Sequence, residues 1–332
     1  MKSDDGGSCP KVRKLPVQPV KTTLRKHHNS SSVIAKIARV RFTNDLLFKS
    51  GRLYTLRDPV AAMADSWPES LAAAATVRAD TPVFHWALVP IAVLVAAETT
   101  ILLGFPTAGI TVHSLVLLAL LWTIGHDPDH HPVYEGIVFV PLLRLLNLGS
   151  GLLDISPLLW LLVVYVMLFV SVILALRANE TGANDLGILP QGNVYHWGLL
   201  VGTGVPVGAA LGWIQWTFDL EQPPVTPTAV NLLELVLVTG LVVGVVEELL
   251  FRGLIQRWLS DLVGRWSAII AASVLFGFMH SVWFKPTDVL FAFLVSLFLG
   301  WSYARTRNLW FISVVHGSIN VAAFAFLPIL LS

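Results

Sequence analysis

Apolar runs of bilayer length recur along this chain, and no other feature constrains its fold so strongly. They occupy about 83–103, 108–125, 155–176, 195–216, 229–252, 266–284, 287–304 and 309–331. A weaker run at about 134–150 is shortened in effect by Arg144 and by Gly149-Ser150-Gly151. A helix needs about 20 consecutive apolar residues to cross the hydrocarbon core. With no water there to satisfy the backbone, only helices or closed barrels span it. Barrel strands alternate in polarity, whereas these runs are continuous. The sequence therefore predicts an all-α, polytopic transmembrane helical bundle of 8–9 spans. The composition, 55% hydrophobic and 13% charged, excludes an ordinary soluble domain.

Ahead of the first run lies a polar, basic tail. Residues 1–80 hold 14 of the 22 Lys and Arg against seven acids. The first thirty-odd residues have a disordered composition, and the first forty, basic and Ser-rich, also fit a transit peptide. Residues 33–56 mix Ile34, Ile37, Val40, Leu47 and Phe48 with Lys36, Arg39, Arg41, Lys49 and Arg52, a pattern for an amphipathic helix on anionic lipid or for a solvated tail. The organisation expected is a tail over 1–80, N-terminal transmembrane helices over 81–190 and a core over 191–332. The single cysteine, Cys9, excludes a disulfide framework and a Cys-based metal site. Arg177, Arg252, Arg257, Arg265, Arg305 and Arg307 fall on one side if the tail is cytoplasmic and 134–150 is a span, which favours nine crossings and a plasma-membrane protein with its N-terminus inside.

The polar residues within the C-terminal runs form three clusters. In the first, Glu247 and Glu248 end an apolar stretch and are followed by Arg252. Charged side chains in hydrocarbon cost at least several kcal/mol, on the order of 3 or more each, and mark functional sites. Glu248 and Arg252 are four apart and share a helix face, whereas Glu247 is rotated by about 100° and has no such partner. The second cluster, Phe276-x-x-x-His280, follows a turn signal around Asp261 and Gly264. Glu247 and His280 both lie about 16 residues from that turn, roughly 24 Å along a helix, so a straight hairpin brings them level. The third is His316-x-x-x-Asn320 on the last run. Together these residues serve two chemistries: a water activated by carboxylate and imidazole with an oxyanion held nearby, or a divalent ion such as Zn2+ on Glu247, His280 and His316 with one open position.

The order Glu-Glu-x-x-x-Arg, Phe-x-x-x-His and His-x-x-x-Asn on successive apolar runs resembles the CPBP family of intramembrane proteases: CAAX prenyl endopeptidases, Abi proteins and bacteriocin-processing relatives. The resemblance covers roughly 195–331, and Arg252-Gly253-x-x-Gln256 continues it. It implies an intramembrane endopeptidase acting on a peptide or protein in the membrane, including lipidated C-termini, with the bilayer as its surroundings and no nucleic-acid partner. It further implies that Glu247 and His280 activate water, that His316 and Asn320 stabilise the oxyanion, and that Glu248 with Arg252 holds the helix geometry. The family is usually called metalloprotease, while a metal-free glutamate mechanism fits the same residues.

Other polar groups read as less informative. His126-Asp-Pro-Asp-His130-His131 is metal-like in composition but sits in a proline-stiffened loop without the spacing of a structural site. His113 and His196 read as interfacial, and Glu98 and Glu234 have no visible partners. No His-Glu-x-x-His or Gly-x-Gly-Asp is present, and Ser150 is not in a hydrolase elbow. Rival readings are a silent immunity or scaffold protein of the same family, and a proton-coupled transporter, for which the first half lacks a second copy of the 247–320 pattern.

Overall fold

The computed structural model describes residues 46–49, 52–55, 85–148, 154–190, 192–218 and 223–331. The chain falls into two compact units, Met1–Arg78 and Ala79–Ser332. Cys9, the tail outside the two short strands named next, Ser150 with its glycines, Asp219 and Glu221 lie outside the described residues.

In the first unit, β1 (Leu46–Lys49) pairs antiparallel with β2 (Arg52–Thr55), Phe48 opposite Leu53 and Lys49 opposite Arg52. Over 46–49 and 52–55 the chain is therefore in strands where the sequence suggested an amphipathic helix; the rest of 33–56 lies outside the described residues. The sequence explains this in part: Phe48 and Tyr54 are residue types that favour strands.

The described part of the second unit is helical. It comprises α1 (Leu88–Leu102), α2 (Pro106–His126), α3 (Val133–Ile137), α4 (Phe139–Asn147), α5 (Pro157–Ala178) and α6 (Val194–Thr217). A long interrupted run, α7 (232–263), follows, then α8 (Arg265–Phe278), α9 (Pro286–Thr306) and α10 (Leu309–Leu331). Six of the described helices are long and apolar enough to cross a membrane: α2, α5, α6, α8 with the turn after it, α9 and α10. The 8–9 spans read from the sequence thus reduce to six that meet both criteria. Helix α1 is shorter, and α7 carries Glu234, Glu247, Glu248 and Arg252. The weak run at 134–150 forms two short helices instead of one. Pro141 lacks an N–H, and its ring would clash with the carbonyl four residues back, at Ile137, where α3 ends. Such large exposed side chains as Leu118, Trp122, Met167, Leu174 and Leu294 form the face that lipid covers. The chain is an integral, multi-pass membrane protein.

Two local features position the site. Gly264, at φ +80° and ψ 162°, joins α7 directly to α8 in a backbone region open essentially to glycine alone. Along α7, two π-helical segments, Val236–Val243 and Leu249–Gln256, flank a short α-helical piece, Gly244–Glu248, that carries both glutamates. Such segments concentrate at functional sites because i→i+5 bonding re-aims side chains and loosens carbonyls. Helix α10 lies unusually close to this stretch. A Cβ on Gly317 would sit 2.2 Å from the Gly240 carbonyl oxygen, and one on Gly244 would sit 3.0 Å from Gly317. Small residues allow this approach, as at helix crossings in membranes.

Candidate active site

Glu247, His280, His316 and Asn320 line one cavity of about 310 Å³. Trp160, Tyr165, Phe251, Phe276, Trp283 and Phe324 contribute its aromatic wall. Glu247 and His280 reach it from the two arms of the α7–α8 hairpin, and His316 and Asn320 from α10, which the glycine contact draws alongside.

Glu248 is fully buried and its Oε1 accepts two hydrogen bonds, from Arg252 Nη1 at 3.0 Å and His316 Nδ1 at 2.8 Å. The i,i+4 pair expected from spacing is thus present even though it straddles a π segment. Arg252 also donates through Nη2 to the Ser296 carbonyl and hydroxyl at 3.1 and 2.9 Å, and its guanidinium lies 5.2 Å from the centre of the Phe276 ring. Charge-assisted bonds of this kind are the strong ones, and here they tie α7 to α9.

Glu247 is not without partners. Tyr165 on α5 donates its hydroxyl to Oε1 at 2.5 Å, and His316 Nε2 stands 3.6 Å from Oε2. Tyr165 was not legible as a site residue. Its one signal was a phenol in mid-span, where a buried hydroxyl needs a partner. His316 therefore lies between the two glutamates. Because a carboxylate only accepts, Nδ1 carries the proton given to Glu248, and the ring edge bearing Nε2 is turned to Glu247.

His280 follows the end of α8. Its Nδ1 is 3.1 Å from the Phe276 carbonyl. A carbonyl only accepts, so Nδ1 donates and Nε2 is the acceptor of the neutral ring. The Phe276 ring packs against both histidines, with centroids 5.1 Å from His280 and 5.8 Å from His316. Asn320 donates one amide hydrogen to the Thr239 carbonyl in the first π segment at 3.0 Å.

Two sequence expectations need correction. Glu98 has partners: it is wholly buried and accepts from Arg144 Nε and Nη2, both at 2.8 Å, and from Ser281 Oγ at 2.5 Å. These partners come from distant segments, which spacing cannot reveal. His113 is buried rather than interfacial, with Nε2 2.9 Å from Glu98 Oε1 but off the line of a good hydrogen bond. Arg144 also lines the cavity, with Nη2 donating to the Met279 carbonyl. Glu234, by contrast, is exposed in the first turn of α7, where an acid suits the helix dipole, and His196 is exposed near the start of α6.

As to metals, among the described residues no group of three or more His, Cys, Asp or Glu side chains is arranged to hold one. Glu247, His280 and His316 share the cavity but do not form a three-ligand set. The His126–His131 string is occupied by local bonds: His126 Nδ1 with the Trp122 carbonyl, His130 with the Asp127 carbonyl and Glu135, and His131 Nδ1 with the Val133 amide. In this loop, partial burial pulls the His130 imidazole down, but its bonds to Asp127 and Glu135 outweigh that and raise it above its ordinary value. Burial holds His131 below its own.

Residues 229–322 match the family model described as Type II CAAX prenyl endopeptidase Rce1-like. No curated protein and no solved structure gives a significant match. The matched segment contains Glu247, Glu248, Arg252, His280, His316 and Asn320. It leaves out Tyr165, Glu98, His113 and Arg144. The match supports a membrane peptidase role in general.

Proposed function

We propose that the chain is an intramembrane endopeptidase in which Glu247 and His280 activate the attacking water. The observation that carries this reading is the convergence of Glu247, His280, His316 and Asn320 on one cavity. A water between the Glu247 carboxylate and His280 Nε2 gives up its proton to one of them as its oxygen bonds to the scissile carbonyl carbon. The oxyanion so formed accepts hydrogen bonds from Nε2–H of a doubly protonated His316, whose Nδ1–H stays on Glu248, and from the second amide hydrogen of Asn320. Collapse of the intermediate breaks the C–N bond, and the stored proton passes to the leaving amine. General-base catalysis of this kind contributes about 10²–10⁴-fold, and an oxyanion donor about 10²–10³-fold. Tyr165, by donating to Oε1, fixes the Glu247 carboxylate and turns Oε2 towards His316. Glu248 and Arg252 hold the His316 ring. The substrate fitting the aromatic wall is an extended apolar or lipid-bearing peptide of the membrane, consistent with the prenyl endopeptidases that the matched family model describes.

No step is routed through a metal, because the donor set does not converge as a three-ligand site. Cleavage of an internally quenched farnesylated peptide by the purified protein in nanodiscs tests the reading. Glu247→Gln is expected to lower kcat by about 10³-fold with an unchanged melting profile. Full activity in that variant would sink the mechanism and favour a scaffold role. Activity is expected to survive chelation; a loss restored by added zinc overturns the metal-free route.

A further inference from the structure

We infer that Glu98, Arg144 and Ser281 are positioning residues for His280, supplied largely by helices that precede the segment matched by the family model. The inference rests on the catalytic reading above, in which His280 Nε2 faces the reacting water.

The residues on both sides of His280 are tied to one ion pair, Met279 through its carbonyl and Ser281 through its side chain. On one flank, the Met279 carbonyl accepts from Arg144 Nη2 at 2.5 Å. On the other, the Ser281 hydroxyl donates to Glu98 Oε2 at 2.5 Å. Arg144 and Glu98 are joined by two parallel bonds of 2.8 Å, Nε to Oε1 and Nη2 to Oε2. Glu98, on α1, and Ser281 have no exposed surface, and Arg144, on α4, has 5%. His280 needs such bracing because α8 stops at Phe278 and the last carbonyls of a helix lack partners within it. Arg144 satisfies one of them, and its cation complements the helix C-terminus. The Phe276 carbonyl sets the rotation of the ring, while the clamp sets where its Cα stands.

A purely stabilising role explains this arrangement poorly. A buried ion pair is a weak source of stability beside well-packed apolar residues of the same volume. What a bidentate pair does supply is fixed geometry. Arg144 lines the cavity wall itself, so the clamp and the reacting space share a surface.

The test uses the full chain in nanodiscs, with the farnesylated quenched peptide for turnover and 15N-histidine NMR for His280, assigned by comparison with His280→Gln. Ser281→Ala removes one tie without leaving a buried charge unpaired by Arg144. It is expected to lower kcat about tenfold with KM essentially unchanged, and to replace the single Nδ1–H tautomer signal of His280 by an averaged one. Ser281→Thr keeps the hydroxyl and is expected to recover most of the rate and the signal. Arg144→Lys keeps the charge but loses the fork, and is expected to lower kcat by up to about 100-fold. Wild-type kcat and an unchanged His280 signal in both Ser281→Ala and Arg144→Lys overturn the clamp. If Glu247→Gln is inactive in the same assay, that result leaves the catalytic reading intact. If Glu247→Gln is fully active, the catalytic reading fails, and the NMR signal still decides whether the clamp orders His280.

Discussion

Two buried glutamate–arginine networks border the cavity, and they differ in how far apart along the chain their members lie. Glu248 and Arg252 are separated by one helical turn and grip His316 through its Nδ1. Glu98 and Arg144 are separated by 46 residues and grip the two residues that flank His280. Each network thus serves one histidine, the first by holding the ring and the second by holding the chain. The difference teaches where a site's rigidity comes from. A local pair preserves its geometry whenever its helix forms, whereas a distant pair exists only once α1, α4 and the end of α8 have docked.

The sharpest way to break the comparison is to remove each cation while leaving its carboxylate buried. Arg252→Met and Arg144→Met are each expected to destabilise the protein by about 3–5 kcal/mol, read as a fall in thermal midpoint in nanodiscs. Equal falls would mark both networks as structural to the same degree. The expected contrast lies in NMR: Arg252→Met disturbs the His316 signal and spares His280, and Arg144→Met does the reverse. A single disturbance common to both histidines would end the division of labour.

A smaller effect sharpens the local half. Gly317→Ala puts a Cβ 2.2 Å from the Gly240 carbonyl oxygen, which is backbone and cannot swing away. It should push α10 from α7, weaken the His316–Glu248 and Asn320–Thr239 bonds, and cost about 1–3 kcal/mol. The expected readout is a loss of kcat with the His280 signal unchanged. Wild-type turnover in this variant would mean that the close approach of α7 and α10 does not set the site.

The smallest effect belongs to a third glutamate, Glu135, outside the cavity, which accepts from His130 at 3.0 Å and from Asn179 at 2.8 Å. His130 titrates above its ordinary 6.5, so the bond stabilises the folded state fully below that value and loses its contribution as pH rises through the raised one. His130→Gln should lower the melting midpoint slightly at mildly acidic pH and leave it unchanged in alkaline buffer. The opposite order would show that the imidazole is not held by Glu135. The pair is only partly buried, so the shift will be small beside those of the buried networks.

What was legible in the sequence follows from this contrast. The apolar runs became helices because the bilayer leaves the backbone no alternative, and the Glu248–Arg252 pair appeared because four residues make one turn. The expectation that Glu247 and His280 stand level rests on a hairpin whose length can be counted from Gly264, and the two residues line one cavity. Tyr165 could not be assigned to Glu247, because α5 meets α7 through tertiary packing and not through any spacing. The π segments were equally hidden, since they change the register of a helix without changing the residues that favour it. The run at 134–150 looked continuous by polarity, yet Pro141 divided it.

The sequence by itself determined a helical membrane bundle, three polar clusters in order on its last helices, and one ion pair within a turn. Only the tertiary structure decided which carboxylates have partners. A buried charge is satisfied by whatever donors surround it in space. For Glu98 those donors are Arg144 and Ser281, and for Glu247 Tyr165 donates while His316 stands close by, all brought by other segments.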